Sequence, residues 1–294
     1  MPLKPIAIFG EALFDQFPDG SSVLGGAPFN VAWHLQAFGR QPDFISRVGN
    51  DAPGAKIRAA MLSWGMATHG LQTDTAHPTG IVQITLNNGE PVYDIADQQA
   101  YDYIAAAPDP ATLDYGIIYH GTLALRHPTS AQTLRGLTTR HSGSVFVDVN
   151  LRAPWWQAEQ LEQWLANADW LKLNDDELAQ LAPPQATLKD TMQPLLARYA
   201  LTTLVVTRGE QGAAALASSG EFIEVTPAAG LDVVDTVGAG DAFAAVLLLG
   251  LQHHWPLALT LRRAQAFASA VVTRQGATVQ DRAFYQPFID AWQL

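Results

Sequence analysis

The stretch Asp235-Thr236-Val237-Gly238-Ala239-Gly240-Asp241-Ala242-Phe243 decides how the rest of the chain is read. Three small residues, Gly238-Ala239-Gly240, run straight into the apolar segment from Ala242 to Leu251, so a turn with bare backbone amides stands at the start of a buried helix. Unpaired N–H groups and the positive end of the helix dipole make such a turn a seat for phosphate oxygens. Asp241 falls in the first turn, where the dipole favours its ionised form and aims it at whatever the amides hold. An anion seat beside a carboxylate base suits phosphoryl transfer to a hydroxyl. Alone, a GxGD turn is equally an ordinary helix start, so the reading needs a second motif.

Gly25-Gly26-Ala27-Pro28-Phe29-Asn30-Val31-Ala32 supplies one. Gly25 and Gly26 let the backbone approach a ligand closely, Pro28 stiffens the turn, and Asn30 offers a donor and an acceptor to a hydroxyl. This suits a polyol better than an anion, and a plain loop before a core helix is the alternative. Together the two segments resemble the signatures of the ribokinase/PfkB family of carbohydrate kinases, D-T-x-G-A-G-D-x-F and G-G-x-x-x-N-x-A, in the family's order along the chain. The resemblance implies that Asp241 is the catalytic base and that the amides of Gly238, Ala239 and Gly240 form the hole for the transferring phosphoryl group. It implies a ribokinase-like three-layer α/β/α sandwich with a mostly parallel central sheet, ATP and Mg2+ as cofactors, and a small β-sheet lid through which many members dimerise.

Four further segments acquire roles in this light. Asp15 follows the first strand among Leu13, Phe14 and Phe17; a surface turn or a grip on sugar hydroxyls would explain it, and the resemblance implies the grip. In Asp148-Val149-Asn150-Leu151-Arg152, alternate residues of an extended segment share a face, so Asp148, Asn150 and Arg152 are expected to converge. The pattern D-x-N-x-R-x-x-W resembles the fructokinase-like branch of the family, which implies that Arg152 contacts the substrate or the transferred phosphate. Asn174 and Glu177 read as a helix cap with its reciprocal acid, and also resemble the family's N-x-x-E motif, which organises hydrated magnesium beside the nucleotide. Thr207, Gly209 and Gly212 close a strand with a turn; the resemblance implies that they and Thr236 meet the nucleotide, and that Asp235, Val237 and the loop 272–277 surround a monovalent cation, K+.

Elsewhere the chain alternates short apolar runs with helical patterns. Strands are expected at Ile6 to Phe9, Phe44 to Val48, Gly116 to Tyr119, Val145 to Val149, Trp170 to Leu173 and Thr203 to Thr207. Helices between them, such as Ala52 to Trp64 and Leu188 to Tyr199, indicate a parallel sheet with crossover connections. Gly80 to Leu86 and Pro91 to Ile95, joined by Asn87-Asn88-Gly89-Glu90, break the alternation with the chemistry of a tight hairpin. With Leu13 to Val23 they are expected to form a small antiparallel sheet, or an edge hairpin on the main one. No linker divides residues 1–294, so one kinase domain is expected, with lid segments near 12–24 and 78–104.

Composition sets the remaining bounds. The chain has 294 residues, 48% hydrophobic, with a net charge of -11 from 17 basic and 28 acidic side chains, which leaves no basic face for nucleic acid. Phosphates must then be neutralised locally, by amides, a divalent cation or single arginines. Cysteine is absent, the most apolar window is too short to cross a bilayer, and no signal peptide is evident, which together predict a cytoplasmic protein. No lysine follows a glycine in a Walker motif, no GxGxxG follows the first strand, and neither GxSxG nor HExxH occurs. The expected activity is therefore ATP-dependent phosphorylation of a sugar hydroxymethyl group, with fructose as first acceptor and a homodimer as the expected assembly. Ribose, 2-keto-3-deoxygluconate or a nucleoside stay open as acceptors, because the segments Val92 to Ile95 and Gln98 to Tyr103 match no fructose pattern. A non-catalytic sugar- or nucleotide-binding regulator on a kinase scaffold is the alternative of another class.

Overall fold

A computed structural model describes residues 3–87, 90–106 and 114–294. Among these described residues the central sheet has nine strands: β1 (Ile6–Phe9), β4 (Asp43–Gly49), β5 (Leu71–Asp74), β8 (Ile117–His120), β9 (Ser144–Asp148), β10 (Trp170–Asn174), β11 (Thr203–Thr207), β12 (Ala213–Ala217) and β13 (Phe222–Val225). They lie in the order β13-β12-β11-β10-β9-β8-β1-β4-β5. Neighbours from β11 to β5 run parallel, while β12 and β13 add an antiparallel edge. The continuous apolar runs seen in the sequence are what a strand buried on both faces requires.

One face is covered by α1 (Ala27–Ala37), α2 (Ala52–Trp64), α7 (Ala239–Gln252), α8 (Leu257–Val271) and α9 (Gln286–Trp292), whose side chains share a core with Ile6, Ile8, Phe146 and Trp170. The other carries α3 (Pro128–Thr139), α4 (Ala158–Leu165), α5 (Asp175–Leu181) and α6 (Leu188–Arg198), packed on Val147, Leu171, Val206 and Ile118. The expected three-layer α/β/α sandwich is thus present. Among the described residues no helix is long and apolar enough to cross a membrane.

The second sheet joins β2 (Leu13–Gln16), β3 (Ser22–Gly25), β6 (Gly80–Asn87) and β7 (Glu90–Ile95) in the order β3-β2-β6-β7. It is separate from the main sheet, but it is mixed rather than antiparallel, since β2 and β6 run parallel with Leu13 opposite Gly80. The reason is topological: β2 and β6 both leave the same end of the main sheet, so they rise side by side. The Asn88-Gly89 turn predicted between β6 and β7 lies outside the described residues. Arg126 fastens the returning strand, donating from Nη2 to the Ala96 carbonyl at 2.6 Å and Asp102 Oδ2 at 2.8 Å while its guanidinium lies 4.2 Å from the Trp155 ring centre.

Strand β1 has β4 on one side and β8 on the other, so the chain winds outward from it in both directions. Crevices for ligands open beyond the carboxyl ends of strands at such a switch point. Glu11 and Asp15 follow β1 at that edge of the sheet, and the carboxyl ends of the parallel strands β9, β10 and β11 lie along the same edge.

Candidate active site

The turn before α7 takes the shape the sequence predicts, for a steric reason. Gly238 is left-handed, with φ of 78°, and a Cβ there would come within 2.4 Å of Ala277 Cα, so only glycine fits. The helix starts without a side-chain cap. Ala239 N–H already donates to the Thr236 carbonyl at 3.3 Å, whereas the amides of Gly238, Gly240 and Asp241 have no acceptor among the described residues. The open donors are therefore 238, 240 and 241 rather than the expected 238, 239 and 240.

Asp241 stands in this first turn and accepts a hydrogen bond from Asn30 Nδ2 at 2.8 Å. Asn30 was expected to hold a sugar hydroxyl; its amide nitrogen is instead committed to Asp241, and its Oδ1 is buried without a partner. Asp241 is only partly exposed, and protein atoms crowd its carboxyl; this desolvation pushes it up to about 7, against the bond from Asn30. Asp148 raises it further, while Lys172 and Arg152 pull it down. A carboxyl poised there accepts a proton at neutral pH and stays a usable base.

Asp15, on β2, is half-buried, with no protein partner among the described residues, and burial raises its carboxyl while Arg152 lowers it. Its Oδ2 would lie 3.2 Å from a Cβ at Gly25, so bare backbone at Gly25 faces this carboxylate. Gly26, with φ of 105°, seats the start of α1 against the Glu11 carbonyl, which a Cβ would reach at 2.6 Å. Asp15 thus faces Gly25, and Gly26 and Asn30, joined by a backbone bond at 2.9 Å, lead from there to Asp241. Glu11 joins them unannounced: it is 3% exposed, its Oε2 has no partner, and burial pushes it up to about 7, with Asp241 raising and Arg152 and Arg126 lowering it. The signal available in sequence was an acid directly after an apolar strand, Gly10-Glu11.

The convergence expected of Asp148, Asn150 and Arg152 does not occur by strand alternation. β9 ends at Asp148, and Asn150 is left-handed with φ of 43°, so the segment turns instead of continuing extended. Asp148 points inward, receiving Lys172 Nζ at 2.9 Å on each oxygen and the Tyr119 hydroxyl at 3.2 Å, while Arg152 is exposed. Arg152 nevertheless lies near enough to bear electrostatically on Glu11, Asp15 and Asp241.

Next along the sheet edge, Asn174 and Thr207 are register partners at the carboxyl ends of β10 and β11. Asn174 caps α5, its Oδ1 accepting Glu177 N–H at 2.8 Å, and Glu177 Oε2 accepts Asn174 N–H at 2.8 Å in return. Glu177 Oε1 accepts Leu151 N–H at 2.7 Å, so this buried acid braces the loop after β9. Gly212, with φ of 87°, is required by close approach, since a Cβ would meet the Val225 carbonyl at 2.0 Å; Gly209 has φ of 53° and open space around it. On the other flank, Asp235 accepts Val237 N–H at 3.0 Å and Gly276 N–H at 2.9 Å, tying the exposed Thr236-Val237 segment to the 272–277 loop.

The pfkB family carbohydrate kinase model matches residues 10–282. A fructokinase of Klebsiella pneumoniae is 33% identical over 92% of this chain and 94% of its own length. One from Escherichia coli is 32% identical over 83% of each. The crystal structure of a fructokinase with bound ATP from Xylella fastidiosa superposes with a TM-score of 0.84 at 23% identity over 100% of both chains, a likeness of fold. The chain belongs to the PfkB family of carbohydrate kinases and is a sugar phosphotransferase.

Proposed function

We propose that the protein transfers the γ-phosphoryl group of ATP to a sugar hydroxymethyl group, with fructose as its acceptor. The observation that carries this reading is Asp241, held by Asn30 at 2.8 Å and set beside amides that lack partners. Asp15 and the Gly25-Gly26 backbone orient the sugar, and Arg152 contributes charge at the crevice mouth. Asp241 takes the hydroxyl proton as the sugar oxygen forms its bond to the γ-phosphorus; the bond to the bridging oxygen breaks and its electrons leave with ADP. The amides at 238, 240 and 241 receive the charge on the migrating group.

On the nucleotide side, Asn174, Thr207, Gly209, Gly212 and Thr236 border the path to the cradle. The donor set fits a magnesium ion arriving with the nucleotide only through its waters: each Glu177 oxygen already accepts one amide, leaving its second lone pair for a water. When bound, the ion screens the phosphate charges. A K+ ion would draw on carbonyls near Asp235 and Val237. Residues 1–294 would act as one catalytic unit, the small sheet and its flanks, 12–24 and 78–104, covering the sugar. Phe17, Val23 and Tyr93 leave apolar surface exposed on or beside that sheet, which supports a homodimer formed through it.

The test is ADP release with Mg2+ and K+ over a panel of fructose, ribose, 2-keto-3-deoxygluconate and nucleosides. Turnover best supported by fructose is expected; another preferred acceptor would move the specificity, and none at all would favour a regulatory protein on a kinase scaffold.

A further inference from the structure

We propose that Lys172 is a positioning residue for phosphoryl transfer: its ammonium backs the amide turn at the start of α7 and adds a full positive charge to that helix end. The proposal rests on the kinase reading above and names a residue which that reading leaves without a role.

Lys172 is the odd member of an apolar strand, Trp170-Leu171-Lys172-Leu173-Asn174, and is 5% exposed. By alternation it shares a face with Trp170, which packs among the residues of α7 and α8. Its Nζ lies 2.9 Å from both Asp148 oxygens and only 3.6 Å from where a Cβ on Gly240 would stand. The ammonium therefore rests against the bare face of the residue that carries one of the open amides. Of its three donors two point to Asp148, and no other acceptor is within reach among the described residues.

Stability does not account for this placement. A buried Lys–Asp pair is commonly no better for the fold than two apolar side chains of similar volume. A cation beside a helix N-terminus is also opposed by the dipole, which favours anions there. Both costs turn into a gain when an anionic group occupies the cradle. Asp148 offsets the charge while the cradle is empty, and the Tyr119 hydroxyl helps fix Asp148 in place. The strand holds the ammonium rigidly, so no reorganisation is needed as charge migrates.

Removing Lys172 alone would strand Asp148 as an unpaired buried charge, so the informative variant is the double substitution Asp148→Asn with Lys172→Met. Asp148 and Lys172 act in opposite directions on Asp241, so their joint removal leaves the base shifted only by their difference. The double variant is expected to keep its thermal midpoint and acceptor KM near the parent's and to lose kcat by about 10²-fold. A parent-like kcat would overturn the proposal and leave the pair a structural one.

Chemical rescue gives the second arm, because the chain has no cysteine of its own. With Asp148→Asn in place, so that neither arm leaves a buried carboxylate unpaired, Lys172→Cys alkylated in denaturant with 2-bromoethylamine and refolded regains an ammonium at nearly the lysine reach and should recover most of kcat. Alkylation with bromopropane, which restores bulk without charge, should not; equal recovery with both reagents would overturn the proposal. If the parent shows no acceptor-dependent ADP release, the kinase reading fails on its own, and the inference is read from calorimetry with inorganic phosphate. Binding about tenfold weaker in the double variant upholds a charged backing to the cradle, and unchanged binding overturns it.

Discussion

The helices α5 and α7 both begin at the carboxyl edge of the main sheet with an acid in the first turn, yet their ends are built differently. At α5 the Asn174 side chain and Glu177 satisfy each other's amides, and Glu177 also takes Leu151 N–H, so the helix end is closed by its own residues. At α7 the preceding residue is Gly238, which has no side chain to cap with, and the amides of 240 and 241 stay free. A helix N-terminus becomes a ligand seat only where the chain declines to cap it. The two ends thus predict opposite responses to substitution, activity at α7 and stability at α5.

The largest effect is expected from Asp241→Asn, which removes the base and should lower kcat by about 10³-fold while leaving the fold intact. The same substitution should raise stability above neutral pH. An aspartate held up to about 7 in the folded chain, against 3.8 unfolded, keeps a proton that the unfolded chain releases. Stability is therefore lost as pH climbs from 3.8 toward 7 and stays lost above. Glu11, also raised to about 7, adds a loss of the same sign. Thermal midpoints of parent and Asp241→Asn across pH should converge at acid pH and separate above 7 in the variant's favour. A parent that is the more stable at pH 8, or a variant with undiminished kcat, would remove Asp241 from its role. The parent's kcat/KM should show an acid limb near 7 that the variant lacks.

Gly238→Ala comes next. It forces a side chain into a left-handed position, where the Cβ meets Ala277 at 2.4 Å. The strain should cost about 1–3 kcal/mol of stability, and displacement of the amides should lower kcat by about 10²-fold with acceptor KM little changed. Loss of stability with kcat preserved would mean that the open amides serve no reacting group.

How much of this was legible beforehand depends on how far apart the deciding atoms lie in the chain. Strands such as Ile6–Phe9 and Thr203–Thr207 and the helix Ala52–Trp64 fall where apolar runs, Pro and capping residues put them, because their determinants are local. The strand Ala213–Ala217 does not: five residues of Ala-Ala-Ala-Leu-Ala favour helix, and pairing with β11 overrides that preference. The bond from Asn30 to Asp241 spans 211 positions, so each motif could be recognised alone while their direct junction could not. Lys172 did carry a signal, a lysine inside an apolar strand, but its meaning needs Asp148 and Gly240 brought beside it. Strand alternation misled at Asn150 because it assumes extended backbone, whereas asparagine is among the few side chains that enter the left-handed region readily.

The smallest effect tests the closed end. Glu177→Gln keeps the shape of the brace but replaces an oxygen by an NH2 group facing either Asn174 N–H or Leu151 N–H, donor against donor. A lost cap of this kind costs about 1 kcal/mol, and the neighbouring acids Asp175 and Asp176 still suit the helix dipole, so the fold should survive with a modestly lower thermal midpoint. If α5 is a closed end, as its hydrogen bonds describe, kcat should fall by less than about tenfold, and raising Mg2+ should not restore it. If Glu177 instead governs the metal's hydration, the midpoint would hardly move while kcat fell by about 10²-fold and the Mg2+ requirement rose. That second outcome would dissolve the contrast between the two helices, because an end sealed by its own side chains would then also serve a ligand, through its acid rather than through its amides.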